Sequence, residues 1–446
     1  MLSSVAKRSL PRLPLILPQR RGLAAHVEDK TTSSAGGAHE AHQPLQNPSS
    51  RPIILFRRPR CGETSSGEMF QYTAMCPKPS FSRIDGAPHL LSRINWQDPT
   101  NDPIFRQFIP LASKFLPAHS KVNMDPLGER NDEVVEGLIH RYPDKALFLA
   151  VSVCTTYCTF CTRCYSVGPN TELVTKASHK PGLNKWNEIF AYIEANPQIQ
   201  DIVVSGGDSF YIHPEHIRGI GNRLINIPHI RRFRFASKGL AVAPMRFLDT
   251  SDDWTDALIE VTQKTKEAGK EVAMHTHFNH ANEFSWITEA AAQKLYAAGV
   301  TMRNQTVLLK GVNDDVQTMS TLIRKLADNH VSPYYVYMCD MIPNAEHHRT
   351  PLQTILDLES QIQGSIAGFA TPKFIVDLPG GGGKRSALSY DSYDRQTGIS
   401  TFTAPAVTAA AAARGRREKP QVFKYYDPIN YDAHAETDEE MRTDSL

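Results

Sequence analysis

The sequence lacks a long apolar run, and its charges leave almost no net excess of either sign. No stretch of the 446 residues is apolar for long enough to cross a membrane, so we expect no membrane partner. The net charge of only +2 argues against nucleic acid as a partner. A content of 41% hydrophobic and 22% charged residues is that of an ordinary globular protein.

Acidic residues are missing from the beginning of the chain, where Glu28 is the first carboxylate. A start that is basic, acid-free and rich in Ser, Leu and Ala is typical of a mitochondrial transit peptide. We therefore expect residues 1–27 to direct the protein to the mitochondrial matrix. The alternative is a disordered basic tail on a cytoplasmic protein. Residues 28–50 are polar and rich in Ser, Gly and His, which predicts a disordered linker.

A regular alternation of short apolar runs and longer amphipathic segments begins at Lys145. It predicts an α/β fold in which a parallel sheet curls into a partial (β/α) barrel, although an open doubly wound sheet has the same pattern. We expect an N-terminal extension with short helices over 51–138, the barrel over 139–390, and an irregular C-terminal extension with an acidic tail over 391–446. The predicted strands are 146–152, 201–205, 231–236, 271–276, 301–308, 333–338 and 373–378, and the predicted helices are 254–268, 284–299, 316–329 and 352–367.

Cysteine is scarce, yet four of the seven cysteines lie within eleven residues. Cys154, Cys158 and Cys161 follow the first predicted barrel strand at the spacing C-x3-C-x2-C, which resembles that of the radical S-adenosylmethionine (SAM) superfamily. Three thiolates suit three irons of a four-iron cluster and leave the fourth iron open for a further ligand. If Cys164 is added, the same cysteines suit a structural zinc site in a protein that is not an enzyme.

The second predicted strand ends in Ser205, Gly206, Gly207 and Asp208. Two glycines allow a ligand to approach the backbone closely, and a carboxylate accepts hydrogen bonds from an ammonium group. Radical-SAM proteins hold the amino group of SAM at this place, so the resemblance predicts a SAM-binding segment. An ordinary turn is the alternative, because Gly-Gly-Asp is common in turns.

Four consecutive glycines precede Lys384 in LPGGGGKRSAL, residues 378–388. The segment is not a phosphate-binding P-loop, because it has Leu378 at the position of the first glycine and Arg385 at that of the hydroxyl residue. A lysine can form a Schiff base, and closely packed backbone around it suits a flat aldehyde cofactor such as pyridoxal phosphate (PLP). A flexible linker is the alternative.

Together these motifs resemble the lysine 2,3-aminomutase family of radical-SAM, PLP-dependent enzymes. The resemblance implies an isomerase that moves the amino group of L-lysine from C2 to C3 to give L-β-lysine, with a [4Fe–4S] cluster, SAM and PLP as cofactors. It runs from about Asn95 to Ser386, and its motifs are, in order, NDPIFRQFIP, DPLGE, HRYPDK, CTTYCTFCTRC, SGGD, HTHFNH, NQTVLLKGVND, YYVYMCD, EHHRTP and FIVDLPGGGGK.

The resemblance also implies a role for individual residues. It assigns the cluster to Cys154, Cys158 and Cys161, SAM to 205–208, the PLP Schiff base to Lys384, the PLP phosphate to Arg141 and Lys145, the substrate α-carboxylate to Arg163, and the far ammonium group of lysine to Asp314 and Asp377.

The resemblance leaves the substrate open within one class of compounds. The alternatives to free lysine are another basic amino acid and lysine destined for attachment to a translation factor. As partners we expect a small amino acid, a reducing electron donor and further copies of the chain in a homo-oligomer.

Overall fold

The computed structural model describes residues 88–111, 114–168, 170, 175–177, 183–405 and 419–429. All of them belong to one compact unit, Glu68–Leu446. The expected transit peptide, the linker over 28–50, the start of the N-terminal extension and the acidic tail lie outside the described residues. No helix within these ranges has the length and apolar character that a membrane span requires.

Ten strands form one sheet in the order of the sequence. The seven strands β3 to β9 are parallel, while β1 and β2 at one end and β10 at the other are antiparallel to their neighbours. The strands are β1 (Glu133–Val135), β2 (Leu138–Ile139), β3 (Lys145–Val151), β4 (Asp201–Gly206), β5 (Arg232–Ala236), β6 (Glu271–Thr276), β7 (Thr301–Leu308), β8 (Val331–Met338), β9 (Lys373–Leu378) and β10 (Gly383–Ser386).

Helices connect each parallel strand to the next, as a parallel sheet requires. Two short helices precede the sheet, and Asp102 caps the second of them by accepting from the backbone N–H groups of Ile104 and Phe105 at 2.9 and 2.8 Å. The helices are α1 (Pro88–Arg93), α2 (Pro103–Phe108), α3 (Leu183–Glu194), α4 (Pro214–Asn226), α5 (Gly239–Val242), α6 (Met245–Leu248), α7 (Trp254–Glu267), α8 (Trp286–Ala297), α9 (Val316–Asp328) and α10 (Leu352–Ile362).

The two faces of the sheet have different compositions, because successive side chains of a strand point to opposite faces. One face is apolar and buried under the helices, and it includes Phe148, Val204, Phe235, Met274 and Val336. The residues that alternate with these along the strands, on the other face, are largely polar and half-buried. They include Lys145, Arg234, Arg303, Gln305 and Tyr337.

The two ends of the sheet approach each other, so the sheet is a partial barrel and not an open doubly wound sheet. The backbone N–H of Lys384 in β10 donates to the hydroxyl of Tyr142, just before β3, at 3.2 Å. The backbone N–H of Gly380 donates to the carbonyl of Pro126 at 2.7 Å. Gly383 has a φ of +81°, and a Cβ there would lie 3.0 Å from the Tyr142 hydroxyl. The predicted barrel is therefore confirmed.

The C-terminal extension, which we expected to be irregular, contains a second sheet of three antiparallel strands: β11 (Ser392–Asp394), β12 (Ile399–Ala404) and β13 (Gln421–Tyr426). Asp427 attaches this sheet to the barrel, since it accepts from the Tyr393 hydroxyl at 2.6 Å and from the backbone N–H of Leu352 at 2.8 Å. These strands were not predicted, because they are short and composition alone does not distinguish them from irregular chain. A low-complexity segment also separates β12 from β13 in the sequence.

Candidate active site

The cysteines lie in a loop that follows β3, and the two glycines at the end of β4, Gly206 and Gly207, hold the start of that loop. The backbone N–H of Gly207 donates to the carbonyl of Val151 at 2.6 Å, and that of Asp208 donates to the carbonyl of Val153 at 2.9 Å. A Cβ on Gly206 would lie 2.1 Å from the Val151 oxygen, and one on Gly207 would lie 2.3 Å from the Val153 oxygen. The two glycines are therefore needed for contact with this loop, in addition to any contact with a ligand.

Cys154, Cys158 and Cys161 are half-buried and close enough to influence one another. Burial raises the pKa of the Cys154 thiol well above its ordinary value, and negative charge on Asp208 and on the other two cysteines raises it further. Burial raises the pKa of Cys158 to about 12, with a contribution from Cys161 in the same direction. Cationic ligands are therefore needed to keep the three sulfurs ionised, which is what the irons of a cluster supply.

The donor set fits a cluster better than a single metal ion. Among the described residues, no three His, Cys, Asp or Glu side chains are placed to bind one ion. The thiolates of a four-iron cluster bind different irons, so they stand farther apart than the ligands of one ion. The hydroxyl of Thr155, between the first two cysteines, is buried and has no hydrogen-bond partner within the described ranges, as expected beside a group that binds in the loop.

Cys164, the fourth thiol of the zinc alternative, is engaged elsewhere. It is buried, and its Sγ donates to the carbonyl of Met124 at 3.7 Å. Its apolar neighbours are Ile342 and Ala345. We therefore assign Cys164 to packing behind the loop.

Asp208, expected to bind the amino group of SAM, already accepts two backbone hydrogen bonds. Its Oδ1 accepts from the N–H of Phe210 at 2.8 Å and its Oδ2 from the N–H of Lys238 at 2.9 Å. Burial raises the pKa of Asp208, and these hydrogen bonds lower it in part. Ser205 is buried at the end of β4, beside the same segment. Each carboxylate oxygen has a second lone pair, so an ammonium group can still bind here.

Lys384, expected to form the Schiff base, forms an ion pair with Asp377. The two residues are directly opposite each other in the antiparallel pair of β9 and β10, and the Lys384 Nζ contacts the Asp377 Oδ2. The ammonium also lies 5.3 Å from the centre of the Tyr337 ring. Burial alone would lower the pKa of Lys384, but Asp377, Tyr337 and Tyr142 outweigh burial and hold it well above its ordinary value.

Asp340 is a third member of this group, and it was not among the residues expected from the sequence. It is half-buried two residues after the end of β8, and its Oδ2 accepts from the hydroxyl of Thr162 in the chain that follows the cysteines. Burial and the negative charge of Asp377 together raise the pKa of Asp340 to about 7, although Lys384 lowers it in part. We call Asp340 and Asp377 the acid pair. The signal that could have identified Asp340 is its place after the strand next to that of Asp377.

Asp314, which the sequence suggested as the partner of Asp377, lies in the turn after β7. Its Oδ1 accepts from the backbone N–H of Gly311 at 2.8 Å, so it stabilises that turn. In the described part of the chain no hydrogen bond or ion pair joins it to Asp377 or Lys384. The charge of Asp377 thus acts on Asp340, whereas the contact seen at Asp314 is with its own turn.

The two cations expected at the PLP phosphate lie near the same lysine. Arg141 donates to Asp132 at 2.8 Å, and the charge of Asp377 helps to raise its pKa, although burial opposes the rise. Burial lowers the pKa of Lys145, and the positive charges of Lys384 and Arg234 lower it further. Cations that repel one another on the inner face of a barrel fit a site for an anion such as a phosphate group. The residues present therefore fit PLP.

Arg163, expected to bind the substrate carboxylate, is held by a protein carboxylate. Its Nε and Nη2 donate to the two oxygens of Glu129 at 3.0 and 2.8 Å, and the hydroxyl of Tyr165 donates to the same carboxylate at 3.0 Å. Burial would lower the pKa of Arg163, but Glu129 and Tyr165 raise it overall. The side chain of Arg163 is 24% exposed, and its contact with Glu129 does not use Nη1.

Comparison with known proteins gives a consistent set of relatives by sequence. The chain is 37% identical over 306 residues to the L-lysine 2,3-aminomutase of Clostridium subterminale, which covers 69% of each chain. It is 36% identical over 306 residues to the L-lysine 2,3-aminomutase of Acetoanaerobium sticklandii, again over 69% of each chain. No family model matches the chain. A solved structure, SuiB of Streptococcus suis bound to S-adenosylmethionine, gives a TM-score of 0.37 at 13% identity, with 53% of this chain and 51% of that one covered.

Proposed function

The chain belongs to the L-lysine 2,3-aminomutase family, and we propose that it is a radical-SAM, PLP-dependent isomerase that moves the amino group of L-lysine from C2 to C3. The observation that carries the choice of substrate is the environment of the acid pair. There the side chain of Lys384, itself an alkylammonium group, is bound by Asp377 beside Asp340.

The acid pair is suited to a cation and unsuited to an anion. Asp377 is 5% exposed, and in the described ranges its Oδ1 has no hydrogen-bond partner, so one acceptor remains open when Oδ2 binds Lys384. Two carboxylates that converge in a shielded place attract an ammonium group and repel the side-chain carboxylate of glutamate. A basic amino acid is therefore the substrate class that the site favours.

The chain's own residues supply binding and orientation in this proposal. Arg163 binds the α-carboxylate of the substrate and the acid pair binds its terminal ammonium group, so that the two ends of lysine are fixed and its C2–C3 bond lies between them. Arg141 and Lys145 bind the phosphate of PLP. When they are bound, the cluster and SAM supply a carbon radical and PLP supplies a conjugated system that delocalises an unpaired electron. Cys154, Cys158 and Cys161 would hold the cluster.

Product analysis tests the proposal directly. The protein is purified and reconstituted without oxygen, reduced, and incubated with SAM, PLP and one of four amino acids: L-lysine, L-ornithine, L-arginine or L-glutamate. We expect L-β-lysine from L-lysine, detected by mass spectrometry after derivatisation, and no product from glutamate. A β-amino product from glutamate but not from lysine would overturn the assignment of the acid pair. Product from ornithine or arginine alone would retain the reaction and change the substrate.

A comparison of three variants tests the acid pair itself. We expect Asp340→Asn and Asp377→Asn each to raise the KM for lysine at least tenfold, since each removes a charge-assisted contact. Asp314→Asn is the matched control, because it makes the same chemical change at a residue whose observed contact is with its own turn, and we expect a KM within about twofold of the wild type. A large effect of Asp314→Asn with little effect of Asp340→Asn would restore the pair suggested by the sequence.

We also propose that residues 1–27 carry the protein to the mitochondrial matrix and that an external reductant supplies the electron for the cluster. The first proposal is supported by the acid-free, basic composition of that segment. The second is supported by the family chemistry, in which the cluster must be reduced before SAM is cleaved.

A further inference from the structure

Two segments must keep a fixed relation for SAM to bind, and this inference rests on the function proposed above. They are the cluster loop, residues 154–161, and the SGGD loop, residues 205–208. Backbone hydrogen bonds join the base of the first to the second. Beyond these bonds, a chain of buried side chains joins the SGGD loop to the far part of the cluster loop, and its centre is an ion pair of Lys238 and Glu283.

Lys238 contacts the SGGD loop through its backbone and the interior through its side chain. It lies just beyond the end of β5, and its N–H donates to the Asp208 Oδ2 at 2.9 Å. Its side chain is 9% exposed, and the Nζ donates to the Glu283 Oε2 at 3.0 Å and to the carbonyl of His277 at 2.6 Å. The ammonium is therefore fixed by two acceptors that belong to the segment after β6.

Glu283 is completely buried and has donors on both oxygens. Besides Lys238 on Oε2, its Oε1 accepts from the backbone N–H groups of Asn279 and His280 at 3.0 and 3.2 Å and from the Nε2 of Gln107 at 2.9 Å. A buried charge that is fully hydrogen-bonded in this way has a single stable arrangement, because any movement would leave a donor or the carboxylate unpaired.

Gln107 completes the path to the cluster loop. Its backbone carbonyl accepts hydrogen bonds from the backbone N–H of Thr159, at 3.0 Å, and from the Thr159 hydroxyl, at 2.9 Å. Thr159 directly follows Cys158, one of the expected cluster ligands. Hydrogen bonds thus run without interruption from Asp208 through Lys238, Glu283 and Gln107 to the residue beside a cluster cysteine.

We propose that the buried ion pair Lys238–Glu283 is a positioning element that holds the cluster loop against the SGGD loop, so that the affinity for SAM depends on it. In the function proposed above these residues do not touch the substrate. Their effect is exerted through Asp208 and through Thr159 with its neighbour Cys158.

Four proteins, reconstituted without oxygen, test this proposal: the wild type, Lys238→Met, Lys238→Arg and Lys270→Met. Lys270 is the matched control, because its ammonium also binds backbone carbonyls, those of Ile225 and Ile227, both at 2.6 Å, but it lies just before β6 at the other end of the strands. Iron content and circular dichroism are measured first. The dissociation constants of SAM are then compared, measured from the change that SAM makes in the electron paramagnetic resonance spectrum of the reduced cluster.

We expect Lys238→Met to weaken SAM binding roughly tenfold, the scale of a lost charge-assisted contact. Lys238→Arg retains the cation and should restore the affinity, and Lys270→Met should leave it unchanged. Unaltered affinity in Lys238→Met, or an equal loss of affinity in Lys270→Met, would overturn the proposal.

A variant that removes both charges covers the case in which Lys238→Met does not fold. Lys238→Met with Glu283→Gln leaves no unpaired buried charge, so its fold should persist. SAM binding that remains weak in this variant, with a full iron content, supports the proposal, and wild-type affinity contradicts it. Failure of the function proposed above is distinguishable, because then the wild type itself would hold no cluster or its spectrum would not respond to SAM.

Discussion

Asp340→Asn should stabilise the protein in the absence of substrate, although it should weaken lysine binding. In the folded state burial and the negative charge of Asp377 raise the pKa of Asp340 from the ordinary 3.8 to about 7. At pH 8 the folded protein therefore holds an ionised carboxylate in an unfavourable place, whereas the unfolded chain exposes it to water. An asparagine of nearly the same shape has no charge to bury. A carboxylate that lowers the stability of the folded protein is expected in a site that must bind a cation.

The pH dependence of this effect has a definite sign. Below pH 4 Asp340 is protonated in both states and the raised pKa costs nothing. Between pH 4 and 7 the unfolded state loses its proton first, so the free energy of unfolding falls as the pH rises. Above pH 7 both states are ionised and the loss is complete. The full difference between the two pKa values corresponds to about 4 kcal/mol. Because Asp340 is only half-buried, we expect roughly half of that, about 2 kcal/mol.

Urea denaturation of the wild type and Asp340→Asn, followed by circular dichroism at pH 4.5 and pH 8, measures this difference. Other groups that titrate are present in both proteins, so their effects cancel when the variant is compared with the wild type. We expect the variant's advantage to be roughly 2 kcal/mol larger at pH 8 than at pH 4.5. An advantage that does not change with pH would refute the account of Asp340 as a carboxylate held near a second one.

Three further outcomes are expected. Lys384→Ala should abolish the PLP Schiff-base absorbance and leave the iron content unchanged, and an unchanged absorbance would contradict the role of Lys384. The same substitution removes the cation that contacts Asp377, so it should lower the free energy of unfolding at pH 8 by about 2 kcal/mol. Glu129→Gln should weaken the ion pair with Arg163 and lower the free energy of unfolding, measured by thermal denaturation, by about 2 kcal/mol. The control is Lys185→Gln, which breaks the exposed ion pair with Glu136 and should change the free energy of unfolding by less than about 0.5 kcal/mol. Residues 1–27 fused to a fluorescent protein should place it in mitochondria, as seen by microscopy, and a diffuse cytoplasmic signal would contradict the targeting proposal.

The strands of the barrel were predictable because their apolar faces repeat along the chain. Each predicted barrel strand agrees with an observed one within two residues at either end, and the helices from α7 onward begin within two residues of the predicted positions. Four barrel helices, α3 to α6, were not predicted. The segment of α4 contains two glycines and begins at Pro214, so its composition resembles that of a loop. Packing of Ile217, Ile220 and Leu224 into the core stabilises it as a helix, and this packing depends on the rest of the fold.

The site was predictable where its chemistry is local and unpredictable where it depends on distant contacts. The cysteine spacing and Lys384 are recognisable in short segments. Asp340 becomes significant only when β8 lies beside β9, which brings it near Asp377. Glu129 precedes Arg163 by 34 residues, and its bidentate contact follows from the folding of the chain before β1 against the segment after the cysteines. In both cases the residue type was ordinary and the position in space made it functional.

The two roles of Lys384 give a physical reason for the preference for a basic amino acid. In the structure its ammonium group neutralises the acid pair, but a lysine whose nitrogen forms a Schiff base no longer offers that ammonium to a carboxylate. Asp340 and Asp377 would then lose the cation that contacts Asp377, which the repulsion between like charges makes unfavourable. The ammonium group at the end of a lysine side chain restores the neutralisation, whereas the side chain of glutamate would add a third negative charge. Affinity for the cationic substrate therefore follows from the same ion pair that holds the lysine before the cofactor binds.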